Sequence, residues 1–218
     1  MVDGRSYAAH RYCRPLSEHR AVWWNQRRRL RPRLFKWLRD ASQKTVPAVG
    51  TDARHDKFTR ALEFLRELPQ ADPAERSIAM KALGHLESGA WKPAFVLMHH
   101  DLWRGNILID AAEASGRKRT AWADRFVFID WAGSRTQGFA VYDLVRLAQS
   151  MKLPGRAFAD ELQHHCLILD CEPSHAAFHL AAALGDLGLH RDQFPLDRYV
   201  QLTRDCFAWL YEHGSLSR

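Results

Sequence analysis

Apolar residues recur at three- and four-residue intervals along most of the chain, and one central stretch breaks that rhythm. Phe58, Ala61, Leu62, Leu65 and Leu68 form one such stripe, the mark of a helix with a single buried face. Asp72-Pro73-Ala74-Glu75 predicts the start of the next helix. An N-cap acid is followed by Pro at the first helical position and by an acid three residues after the cap. Ile78, Ala79, Ala82, Leu83 and Leu86 continue its apolar face, and Gly89 marks its end.

From Phe95 the pattern changes to short apolar runs of strand length: Phe95-Val96-Leu97-Met98, Ile107-Leu108-Ile109 and Phe126-Val127-Phe128-Ile129. The last two flank a polar segment containing Ser115-Gly116-Arg117-Lys118-Arg119, which predicts a long-looped β-hairpin. Helical spacing returns after Gly138, first at Tyr142, Val145, Leu147 and Ala148. Further helices are expected near 156–169, 175–187 and 196–212, punctuated by Leu153-Pro154-Gly155 and Glu172-Pro173-Ser174. The first 98 residues read as helices. The expected fold class is α+β, mainly helical, around one small β element.

Composition excludes several classes without changing that picture. The chain has 218 residues, 46% hydrophobic and 26% charged, which is ordinary globular usage and sets aside disordered, collagenous and coiled-coil chains. No run approaches the ~18 apolar residues of a membrane span, and Met1–Ser6 lacks a signal-peptide pattern. Cys13, Cys166, Cys171 and Cys206 are scattered, which is free-thiol usage. A cytoplasmic location is the expectation. Charge is uneven: residues 1–50 hold 12 Lys+Arg against 3 Asp+Glu, and residues 51–218 hold 20 against 22. The excess centres on 27–39, where Leu30, Leu34, Phe35 and Leu38 keep helical spacing. The favoured expectation is a helix with a solvated basic face and a packed apolar one. Nucleic-acid binding through these arginines and Trp23, Trp24, Trp37 and Trp103 is the less favoured alternative.

The central stretch carries the candidate chemistry: His99-His100-Asp101-Leu102-Trp103-Arg104-Gly105-Asn106-Ile107-Leu108, then Ile129-Asp130-Trp131. A strand delivers Asp101 into a loop, Asn106 opens the next strand, and Asp130 leaves a third. Two carboxylates and an amide at strand ends can converge on one point, and such hard oxygen donors suit Mg²⁺. That is the requirement of phosphoryl transfer, in which the protein positions a hydroxyl and a metal offsets phosphate charge. Taken singly, Asp101 and Asn106 also fit a capped turn, and Asp130 a helix cap.

His-x-Asp-x-x-x-x-Asn followed by an Asp after a hairpin is the kinase catalytic-loop and metal-loop pattern. Its form here resembles the aminoglycoside phosphotransferase/choline kinase-like family more than protein kinases. Those small-molecule kinases usually carry Gly where this chain has His100. Tyr142-Asp143-Leu144 resembles the family's acidic position after the metal loop. The resemblance implies Asp101 as catalytic base or hydroxyl-orienting group, Asn106 and Asp130 as Mg²⁺ ligands, and His99 and Asp143 as structural support. It further implies ATP as phosphoryl donor and a small-molecule hydroxyl as acceptor. The implied fold is a protein kinase-like C-terminal lobe with a short central hairpin. Within it, 1–50 is a basic helical segment, 51–94 helices, 95–135 the two loops and hairpin, and 136–218 a helical subdomain.

The 12 glycines never form Gly-x-Gly-x-x-Gly, and no strand-borne Lys precedes the catalytic loop. Val2-Asp3-Gly4-Arg5-Ser6-Tyr7 resembles the stretch just after the inter-lobe hinge. The nucleotide lobe is therefore expected to be absent from this chain, supplied in cis or in trans or lost. The alternative function is a non-catalytic kinase-like binding module. Cys166, Cys171, His175 and His179 have zinc-ligand chemistry, but their apolar surroundings favour packing.

Overall fold

The computed structural model describes residues 12–46, 52–110, 121–191 and 194–216. The expectations placed on Val2–Tyr7 and on Ser115–Arg119 lie outside the described residues. Among the described residues, seven helices surround two small antiparallel sheets: α1 Arg20–Thr45, α2 Asp52–Glu67, α3 Pro73–Glu87, α4 Tyr142–Ser150, α5 Gly155–Ile168, α6 Ala176–Leu189 and α7 Leu196–His213. The strands are β1 Cys13–Pro15, β2 Phe95–Met98, β3 Ile107–Asp110, β4 Phe126–Phe128 and β5 Arg135–Phe139. The mainly helical α+β expectation is met. Among the described residues, no helix is long and apolar enough to cross a membrane.

β3 and β4 form the expected antiparallel hairpin, with Ile107 opposite Phe128 and Ile109 opposite Phe126. Two strands lie where none was expected. β1 pairs antiparallel with β3, Cys13 opposite Asp110, so the opening segment is not wholly helical. Three residues ending in Pro carry no readable alternation, and their partner lies almost a hundred positions away. β5 pairs with β2, Val96 opposite Gly138. Its polar Arg-Thr-Gln start hides it in the sequence, and its Gly138 is there for close approach. A Cβ at 138 would sit 2.1 Å from the Met98 Cβ.

The capping box at Asp72 starts α3, with the Glu75 carboxylate accepting the Asp72 N–H at 2.9 Å. α1 runs through Pro32 without ending, its buried face being Leu30, Leu34, Phe35 and Leu38 as its spacing predicts. α6 is buried along almost its whole length and packs most closely on α2. Gly185 allows that approach, because a Cβ there would lie 1.9 Å from the Ala61 carbonyl oxygen. Phe58 centres the aromatic core, its ring 4.8 Å from Phe139, 5.1 Å from Phe95 and 5.5 Å from Trp91. His175 and His179 belong to this core. The Trp91 indole N–H points at His179 Nε2 at 3.4 Å, and burial holds the His179 pKa down at about 3.

Two stability outcomes follow from this packing. Gly185→Ala forces α6 off α2 and is expected to cost about 1–3 kcal/mol. Gly84→Ala, on α3 with no atom within 4 Å of the new Cβ, is expected to gain about 0.5–1 kcal/mol; urea unfolding of both variants measures the contrast. His179 stays neutral when folded and regains an ordinary pKa of about 6.5 when unfolded. Its contribution is thus complete above pH 6.5 and is lost as pH falls toward about 3. The expected slope is up to about 1.4 kcal/mol per pH unit, flatter in His179→Phe, read by denaturant unfolding across that range.

Candidate functional site

β2 ends at Met98 and delivers His99, His100 and Asp101 into a loop that a short 3-10 turn, Arg104–Asn106, returns to β3. Asn106 is buried, and its side-chain amide holds the loop closed. Nδ2 donates to the Asp101 carbonyl oxygen at 2.9 Å and to Asp101 Oδ2 at 2.8 Å. Two acceptors facing the nitrogen settle the orientation of the amide and leave its Oδ1 as the uncommitted acceptor. The strand pair brings in the third residue. The Ile129 N–H donates to the Asn106 carbonyl at 3.1 Å, and the Ile129 carbonyl lies 2.9 Å from His99 Nε2. Asp130 therefore leaves β4 beside the Asp101–Asn106 loop, with its carboxylate exposed. The loop residues expected to act together lie in one place.

Beneath them sits Asp143, buried near the start of α4. Its Oδ2 accepts the His99 N–H at 2.5 Å and its Oδ1 accepts the His100 N–H at 3.1 Å. Burial drives this carboxyl up to about 7; the two amide bonds pull it back, and neighbouring Asp101 pushes it further up. Asp143 thus braces the loop, as does His99, whose ring lies 4.5 Å from Trp131. Neither presents a group outward as Asp101 and Asp130 do.

The backbone is unusual here. Six described non-glycine residues have positive φ, and three of them surround this loop: His100 at 77°, Asp130 at 63° and Val141 at 72°. Each costs of order 1–3 kcal/mol and persists only when the surroundings enforce it. At His100 the conformation is one that glycine adopts freely, so the side chain there carries backbone strain. Burial, then Arg135, lowers the His100 pKa, against Asp186 and Asp101, which raise it.

Other neighbours were not foreseen. Trp131 donates its indole N–H to the Phe128 carbonyl at 2.9 Å, and Trp103 lies over Gly105, where a Cβ would be 2.4 Å from the ring. Both rings stay partly exposed, and with Val127 and Ile129 they give the site an apolar rim. The adjacency of Trp131 to Asp130 was visible in the sequence, but its rim position was not. An Arg135–Asp186 ion pair joins β5 to α6 near His100, across 51 positions that carry no sequence signal.

Four cations of the basic segment are engaged within the chain. Arg31 donates to the Met151 carbonyl at 2.9 and 2.7 Å and to that of Lys152, capping the C-terminus of α4; burial, then Arg27, lowers its pKa to about 10. Arg33 pairs with Asp124, Lys36 with Asp40 and Arg39 with Glu161.

The donor set fits a hard cation: two exposed carboxylates and an amide oxygen whose own nitrogen is engaged elsewhere. Among the described residues, no three His, Cys, Asp or Glu side chains gather to hold a metal, so the zinc arrangement of Cys166, Cys171, His175 and His179 is not formed. A cavity of about 500 Å³ between α3, α6 and α7 is lined by Ile78, Phe178 and Phe207 and includes none of these site residues. No family model, curated protein or solved structure matches the chain.

Removing Asp143 strands two buried amides. Asp143→Ala is expected to lose about 2–6 kcal/mol, at about 1–3 per unpaired group. Asp143→Asn, which keeps one acceptor oxygen, loses less. Urea unfolding and amide-exchange rates at His99 and His100 check both.

Proposed function

We propose that this chain is the catalytic lobe of an ATP-dependent phosphotransferase that transfers a γ-phosphoryl group to the hydroxyl of a small molecule. The reading follows the resemblance to the aminoglycoside phosphotransferase/choline kinase-like family. One observation carries it: the Asn106 amide clamps Asp101 at two oxygens while its main chain is bonded to Ile129, next to Asp130. A turn cap needs only the first of these contacts.

In this reading Asn106 Oδ1 and the Asp130 carboxylate hold Mg²⁺, which when bound offsets charge on the transferring phosphate oxygens. Asp101 Oδ2 is engaged by Asn106, so Oδ1 is left to orient the acceptor hydroxyl and take its proton. Asp143 and His99 fix the loop that carries Asp101. Trp103 and Trp131 supply apolar walls that limit water beside the reacting atoms.

An open face supports a division of labour. Asp101, Trp103, Ile129, Asp130 and Trp131 are all exposed on it, and the sequence has no Gly-rich phosphate loop. A nucleotide-carrying lobe in cis or in trans would close over this face. The same observation favours the second reading, a kinase-like module that binds without catalysis.

Titration of Mg-ATP into the purified chain by calorimetry, followed by assays of ADP and phosphorylated acceptor formed with hydroxyl acceptors, tests the first reading. Metal-dependent nucleotide binding is expected, weakened in Asp130→Ala. Turnover in Asp101→Asn should fall ~10²–10³-fold with the fold intact by circular dichroism. Full turnover in Asp101→Asn refutes the assignment, and no binding with or without metal discards catalysis by this chain alone.

A further inference from the structure

α5 ends in a Schellman motif built from two cysteines. Its last residues are closed by the Cys171 N–H donating to the Cys166 carbonyl at 3.0 Å and the Asp170 N–H donating to the Leu167 carbonyl at 3.3 Å. Asp170 between them is left-handed at φ 51°. These are the paired bonds of that cap, and the geometry brings the side chain three positions before the cap against the one two positions after it. In most helices two apolar groups meet there. Here the groups at those two positions are the Cys166 and Cys171 thiols.

The two thiols differ in access. Cys166 is buried, Cys171 is half-buried, and both line a cavity of about 570 Å³ with Lys92, Leu169 and His175. Cys13 and Cys206 lie outside this cap, and Cys206 is buried, its thiol pushed up to about 12 by that burial.

We propose that Cys166 and Cys171 form a reactive dithiol that exchanges with low-molecular-weight disulfides and closes to an intramolecular disulfide across the α5 cap. The half-buried Cys171 sulfur, as its thiolate, attacks one sulfur of the small disulfide. That S–S bond breaks, and one small thiolate leaves with the electron pair. Cys166 then loses its proton and attacks the Cys171 sulfur of the mixed disulfide, releasing the second small thiol. Two cysteine thiols are oxidised and one small disulfide is reduced to two thiols. The cap places both cysteines at one end of α5 and on one cavity, which favours the second step because the resolving thiol is held beside the first. The neighbouring Cys166 thiol, then burial, then the Asp170 and Glu172 carboxylates push the Cys171 thiol up, so exchange is expected to quicken as pH rises.

The test incubates the full chain with oxidised glutathione, quenches with an alkylating agent and maps the cysteines by mass spectrometry. The expected product has lost two hydrogens, with Cys166 joined to Cys171, while Cys206 is alkylated only after denaturation. Cys166→Ser is expected to arrest Cys171 as the glutathione mixed disulfide, and Cys171→Ser to leave Cys166 unmodified. Wild-type protein that keeps both thiols alkylatable, or stops at stable mixed disulfides, or links chains to each other, overturns the proposal. The wild-type map decides the matter even if a variant fails to fold.

Discussion

The structure around the catalytic-type loop depends on a carboxylate that faces no solvent. Asp143 accepts the main-chain N–H groups of His99 and His100 and so ties the start of α4 to the end of β2. Without it, two donors in a buried turn would lack partners. With it, His100 is held at positive φ and Asp101 is turned outward, where Asn106 fixes it from the other side. The strain at His100, Asp130 and Val141 is sustained by the same set of bonds. Burial raises the Asp143 pKa to about 7 and the amides oppose that rise, a sign that both partners are confined by the fold.

The basic opening of the chain has a different place from the one its charge first implies. A patch of arginines points toward polyanions when sequence is all there is. In the fold, Arg31 closes the carbonyl end of α4, and Arg33 and Arg39 reach acids near β4 and on α5. Cations at a helix C-terminus complement its dipole. Half-exposed ion pairs add little stability individually, so their value lies in orienting α1 across the elements that carry the site. The nucleic-acid alternative loses much of its charge to these internal partners.

Helices were legible because each buries one face, and Leu30, Leu34, Phe35 and Leu38 repeat at the spacing that such a face requires. The Asp72–Glu75 cap was legible because its two halves lie three residues apart. The strands β1 and β5 were not, since each is short, polar or exposed, and exists only through a partner distant in sequence. The site divides the same way. Asp101, Asn106 and Asp130 stand out through spacing and chemistry, whereas Arg135 with Asp186 and the rim formed by Trp103 and Trp131 arise from tertiary packing. The Cys166–Cys171 juxtaposition was hidden for another reason. Its six-residue span is local, but the two share one cap only when Asp170 turns left-handed and ends α5.

The central proposal is that Asn106 and Asp130 hold a single divalent cation beside Asp101. Paramagnetic Mn²⁺ added in substoichiometric amounts to isotopically labelled protein tests it directly, because relaxation falls steeply with distance from the ion. The account predicts that NMR signals of residues 101, 106 and 130 broaden together at the lowest Mn²⁺ additions, ahead of every other acidic residue, and that Mg²⁺ reverses the broadening. Signals at 101 and 130 that stay sharp while acids elsewhere broaden would contradict it.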